Sequence, residues 1–78
     1  MKYKEISRKE ETITNIIVNT LVEMTFYING KKIIKEVEVS HFDPLDKNGI
    51  IDENKIKLGI ENRYTSELRE LTEPKELL

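Results

Sequence analysis

Asn29-Gly30 stands between two runs rich in β-branched and aromatic residues, 20–28 and 31–42. A type I′ turn needs φ > 0 at both central residues, and Asn-Gly is among the pairs that accept this with least strain. No other feature constrains the chain as strongly, because placing this turn sets the register of both flanking strands. Ile28 then faces Lys31, Phe26 faces Ile33, Met24 faces Lys35, Val22 faces Val37 and Thr20 faces Val39, which makes one largely apolar face. The other face pairs Tyr27 with Lys32, Thr25 with Ile34, Glu23 with Glu36 and Leu21 with Glu38, and is largely polar. A slip of one residue would exchange the faces, so turn and pattern agree on a single register. Glu23 opposite Glu36 is a repulsive pair, with Lys32 or Lys35 placed to relieve it diagonally.

Seventy-eight residues with 37% hydrophobic content, no Trp, no Cys and two Phe allow one small domain with a thin aliphatic core. Such a core yields a margin of about 3–5 kcal/mol. Cover for the hairpin from a helix, a further strand or a second copy of the chain would add to it. Without cysteine there is no disulfide, thiolate metal site or thiol nucleophile. The longest aliphatic run, Ile16-Ile17-Val18, is far too short to span a bilayer, so a cytoplasmic protein with no membrane association is expected. The net charge of −2, with acidic and basic residues interspersed, makes nucleic acid an unlikely partner.

Along the chain, the alternation in 2–6 predicts a short edge strand, and lysines there suit an exposed edge. Residues 7–19 admit two readings. Ser7-Arg8-Lys9-Glu10 has the form of a capping box, and Ile13, Ile16, Ile17, Leu21 and Met24 recur at helical spacing. The density of β-branched residues from Thr12 to Val22 favours a strand instead, starting near Glu11 and bending or bulging near Asn19. Residues 43–49 read as a loop, since Pro44 and Asn48-Gly49 are turn formers. Ile56, Leu58 and Ile60 alternate with polar neighbours and predict a half-buried strand over 55–61, with Gly59 marking a bulge or a close approach. Tyr64, Leu68 and Leu71 predict a short C-terminal helix capped by Ser66 and ended by Thr72-Glu73-Pro74, beyond which a tail over about 73–78 frays. The expected fold is therefore a small β-rich α+β domain. It has about four mostly antiparallel strands built on the 20–42 hairpin, and a short C-terminal helix.

Chemistry-bearing groups are few. Asp46, Asn48 and Gly49 match interior positions of an EF-hand loop, but the first and last ligand positions would be Pro44 and Lys55. That set lacks its strongest ligands and reads as a polar turn. A looser divalent site from Asp43, Asp46 and Asp52 is unspecific. His41, two residues before Asp43, has no second His, Cys or Gly-rich motif to complete a catalytic or metal site, so no enzyme activity and no cofactor are expected. Lys31, Lys32, Lys35, Lys55 and Lys57 would form a basic patch if their strands were neighbours, with Tyr27 available for stacking. Glu36 and Glu38 on the same arm argue that these lysines only solvate and protect an edge.

Leu21, Tyr27 and Ile34 are the anomaly: apolar residues on the polar face of the hairpin. A ribbon with apolar residues on both faces needs cover on both. The function expected from the sequence is a non-enzymatic protein-interaction or accessory module, self-associating or binding another protein through strand edges or the Leu21/Ile34 face. The alternative is a small nucleic-acid-binding domain that uses the lysine patch.

Overall fold

The computed structural model describes residues 1–12 and 16–73. Its three strands are β1 (Lys2–Thr12), β2 (Ile16–Ile28) and β3 (Lys31–Phe42), followed by one helix, α1 (Glu53–Thr72). The strands form one antiparallel sheet in the order β1-β2-β3. Asn29 and Gly30 take φ of 52° and 77°, the left-handed pair a type I′ turn demands. Every cross-strand pair expected of the hairpin is present, from Ile28 opposite Lys31 to Thr20 opposite Val39, and the ladder continues to Ile17 opposite Phe42.

Residues 8–12 and 16–24 are extended, so the helix starting at Arg8 does not form. The extended reading is right in kind but misplaced at its ends. Glu11 lies near the end of β1, paired with Ile17; Thr12 closes that strand against Ile16, where β2 begins. Ile13, Thr14 and Asn15 lie outside the described residues. No bend occurs at Asn19, which pairs with Lys9 on one side and Ser40 on the other. The irregularity lies instead at Ile6, where a bulge between Glu5 and Ser7 shifts the register of β1.

The half-buried strand expected over 55–61 is overturned: these residues belong to the first part of α1, which leaves three strands among the described residues where about four were expected. Ile56, Ile60, Tyr64 and Glu67 are its buried positions, a stripe of helical period, whereas Leu58 points outward with 58% of its surface exposed. Asp52, not Ser66, is the N-cap, accepting a hydrogen bond from the Asn54 backbone N–H at 2.9 Å. Glu53 in the first turn suits the positive end of the helix dipole. The helix ends where expected: Glu73 is extended, as a residue before proline prefers, and its N–H closes on the Arg69 carbonyl. The remainder of the tail expected to fray, residues 74–78, lies outside the described residues.

α1 covers one face of the sheet. Val18, Val22, Met24 and Phe26 of β2 and Val37 and Val39 of β3 meet Ile56, Ile60 and Tyr64 in a single core. The Phe26 and Tyr64 rings lie 4.6 Å apart at a 32° tilt, and the Tyr64 hydroxyl donates to the Thr25 carbonyl at 2.6 Å. Two ionic clusters hold the helix at its ends. Near its start, Arg8 donates to Glu5 at 2.8 and 2.9 Å and to Glu53 at 2.7 and 2.8 Å, which raises the guanidinium pKa further and lowers that of Glu53. Farther along, the buried Glu67 carboxylate accepts from Lys35 at 2.9 Å and Arg63 at 3.2 Å. Lys35 is thus occupied on the helix side and does not relieve the Glu23–Glu36 pair. The cation directly across from Glu23 is Lys4 of β1.

Candidate functional site

Period-two alternation sends the odd-numbered residues of β2 and the even-numbered residues of β3 away from α1. No described element covers this second face. Its rows follow from the pairing: Glu11, Ile17, Phe42; Lys9, Asn19, Ser40; Ser7, Leu21, Glu38; Lys4, Glu23, Glu36; Lys2, Thr25, Ile34; and, at the turn, Tyr27 beside Lys32. Leu21, Tyr27 and Ile34 all lie here, as their pattern predicted, with Tyr27 62% and Ile34 54% exposed. Phe42 extends the apolar set at the far end with 74% of its surface open.

The structure adds an order in the charges. On this face the β1 column carries Lys2, Lys4 and Lys9, with Glu11 at its end. The β3 column carries Glu36 and Glu38, with Lys32 at its end. Between them runs β2 with Ile17, Leu21 and Tyr27. The face therefore has a basic margin, a mixed apolar centre and an acidic margin. The side chains are partly ordered among themselves: Ser40 Oγ donates to Asn19 Oδ1 at 2.6 Å, and the Lys2 ammonium lies 5.8 Å from the Tyr27 ring centroid. A hollow beside the bulge is lined by Ser7, Lys9, Asn19, Leu21 and Glu38. Sequence reasoning missed Phe42 and the β1 lysines as members of this surface. Their signal was the alternation of Lys2 and Lys4, but with β1 ended at Ile6 no row could be drawn across three strands.

The five lysines considered as a basic patch are dispersed. Lys31 and Lys32 flank the turn at one end of β3, and Lys32 faces away from α1. Lys35 is held by Glu67, while the Lys55 ammonium donates to the Leu45 carbonyl at 2.6 Å, beyond the other end of β3. Lys57 is exposed on the helix. In the loop, Asp46 Oδ1 accepts from the backbone N–H groups of Asn48 and Ile50, and Asp52 caps α1, so both carboxylates serve the backbone. Among the described residues, no three His, Cys, Asp or Glu side chains stand close enough together to hold a metal ion.

His41 is buried on the helix-facing side, its Nε2 hydrogen-bonded to Thr20 Oγ1 at 2.9 Å, with the ring against Gly59. Asp43, at φ 52°, follows the end of the strand. Burial lowers the imidazole pKa below its usual 6.5 and the Arg8 charge lowers it further, while Glu5 opposes in part. A histidine neutral in the fold but protonated in the unfolded chain makes stability fall as pH drops below 6.5, the loss growing toward the depressed folded pKa. Glu67, held below its usual 4.5 chiefly by Lys35, adds a second loss as pH falls through the carboxylate range. Urea midpoints measured from about pH 7.5 down to about 5.5 should decline for the native chain and stay flat for His41→Gln. Equal slopes in the two proteins would remove this account of His41.

Among the described residues, the fold and this face define a class: a three-stranded antiparallel sheet backed on one side by a single helix and open on the other. Comparison with protein-family models, curated proteins and solved structures finds no match to the chain. Among the described residues, no helix is long and apolar enough to cross a membrane.

Proposed function

We propose that the chain is a non-enzymatic protein-interaction module that docks a partner protein on the open face of its sheet. The observation that carries this reading is the placement of Leu21, Tyr27, Ile34 and Phe42 on the face α1 does not cover, with Leu21 and Tyr27 between charged margins of opposite sign and Ile34 and Phe42 within the β3 margin. A small sheet that leaves such a face open is under selection either to lose the apolar residues or to use them. The margins define the partner's chemistry: an apolar strip flanked by an acidic row, to lie along β1, and a basic row, to lie along β3. The strand edges are less suited to the task. Lysines on both β1 and β3, and the bulge in β1, oppose the addition of a further strand. A cytoplasmic setting goes with this reading, since a chain without cysteine draws no benefit from an oxidising compartment.

A photo-crosslinking residue placed at Tyr27, on the open face, should yield a discrete protein adduct in the native cell, and one placed at Leu58, exposed on the helix, should not. Leu21→Glu should abolish the adduct while leaving the circular dichroism spectrum unchanged. Equal labelling from both positions, adducts to nucleic acid, or an adduct that survives Leu21→Glu would each count against the proposal.

A further inference from the structure

The partner chemistry just defined is found on the chain itself, because the open face carries both margins at once. Resting on the docking role of this face, we propose that its occupant is a second copy of the chain, packed face to face about a two-fold axis parallel to the strands. Two sheets that pack through their faces can be related by two in-plane two-fold axes. An axis across the strands near their middle lays β1 on β1 and β3 on β3 with the row order reversed, which sets the lysine-bearing margin against itself and Glu36 against Glu38 of the other copy. An axis along the strands lays β1 of one copy on β3 of the other. The basic margin then meets the acidic margin twice, with Lys4 over Glu36 and Ser7 over Glu38 near the centre. Down the axis, Ile17, Leu21 and Tyr27 each meet their own copies, as do Asn19, Glu23 and Thr25, while at the margins Ile34 lies over Lys2 and Phe42 over Glu11. Charge complementarity selects the second arrangement, and it is compatible with the roughly −30° angle at which aligned sheets pack.

The size is adequate for a modest association. Strands of about 12 residues rising about 3.3 Å per residue, with three strands about 4.8 Å apart, give a face of about 40 by 14 Å. Two such faces bury about 1,100 Å², near the lower limit for a specific interface. Glu23 is the opposing group, since it meets its own copy across the axis. Its neighbour Lys4 offsets part of that repulsion.

Light scattering across a concentration series tests the arrangement. The native chain should pass from 9.2 kDa toward twice that mass, and the transition should move to higher concentration with added salt. Lys4→Glu and Glu36→Lys should each raise the dissociation constant by at least about tenfold, because each sets like charges across the interface. Mixed in equal amounts, the two variants should form a heterodimer near native affinity, since every Lys4–Glu36 contact then joins opposite charges. Glu23→Gln should tighten the dimer. A monomeric mass throughout, a dimer indifferent to both charge reversals, or a mixture as weak as its components would overturn self-docking. A Tyr27 adduct to a different protein alongside a monomeric mass would leave the docking role standing and remove only the second copy.

Discussion

Phe26→Ala is expected to leave little folded protein at room temperature. Phe26 is 1% exposed in the central strand, and its ring lies against Tyr64 at the point where α1 is pinned to the Thr25 carbonyl. Truncating a buried phenylalanine to alanine costs about 3–5 kcal/mol, from lost transfer energy and from the cavity left behind. A domain this small has about 3–5 kcal/mol in total, so the change removes most or all of the margin. The second phenylalanine is the internal control. Phe42 is 74% exposed, and in dilute protein Phe42→Ala should alter stability by no more than about 0.5 kcal/mol. Urea titrations followed by circular dichroism measure both. A native-like transition in Phe26→Ala would mean that the helix is not held where the structure has it.

Gly59→Ala should destabilise the protein, against the usual sign for an interior helix position. Alanine normally improves on glycine there by about 1 kcal/mol. At residue 59 the added Cβ would lie 2.6 Å from His41 Nδ1 and 2.9 Å from Cε1. The ring cannot easily retreat, being 6% exposed and hydrogen-bonded to Thr20. Forcing a methyl group into such a contact costs about 1–3 kcal/mol, so the loss outweighs the gain in helix propensity. With His41→Ala already present the clash is gone, and Gly59→Ala should then stabilise. A double-mutant cycle by chemical denaturation checks both signs, and a stabilising Gly59→Ala in the native background would refute the close contact.

That glycine shows how far local pattern reaches. Its close approach was legible, since glycine inside a periodic segment signals a nearby group, yet the segment itself was misjudged. Over 55–61 the alternation of Ile56, Leu58 and Ile60 satisfies period two, while Ile56, Ile60 and Tyr64 satisfy the helical period equally well. Seven residues do not separate the two. What separates them is the Asp52 cap and the outward turn of Leu58, and both express the packing of α1 against the sheet. The surface was legible in part for a related reason. Leu21, Tyr27 and Ile34 share a face because hairpin register dictates it. The lysines of β1 join them only through a pairing between strands whose connection carries no comparable turn signal.

Local residue chemistry suffices for the hairpin, its register, the two apolar-bearing faces, and the end of the last helix before Pro74. Each rests on a local dihedral demand: positive φ at Asn29 and Gly30, period-two side chains, and the extended backbone a proline requires of its predecessor. Tertiary structure alone decided that Ser7–Thr12 belong to β1, that residues 53–61 are helical, and which face of the sheet α1 covers and which it leaves open. Those choices turn on burial and on contacts between distant segments, as between Gly59 and His41 or Arg8 and Glu53, and no short window of residues contains their energies.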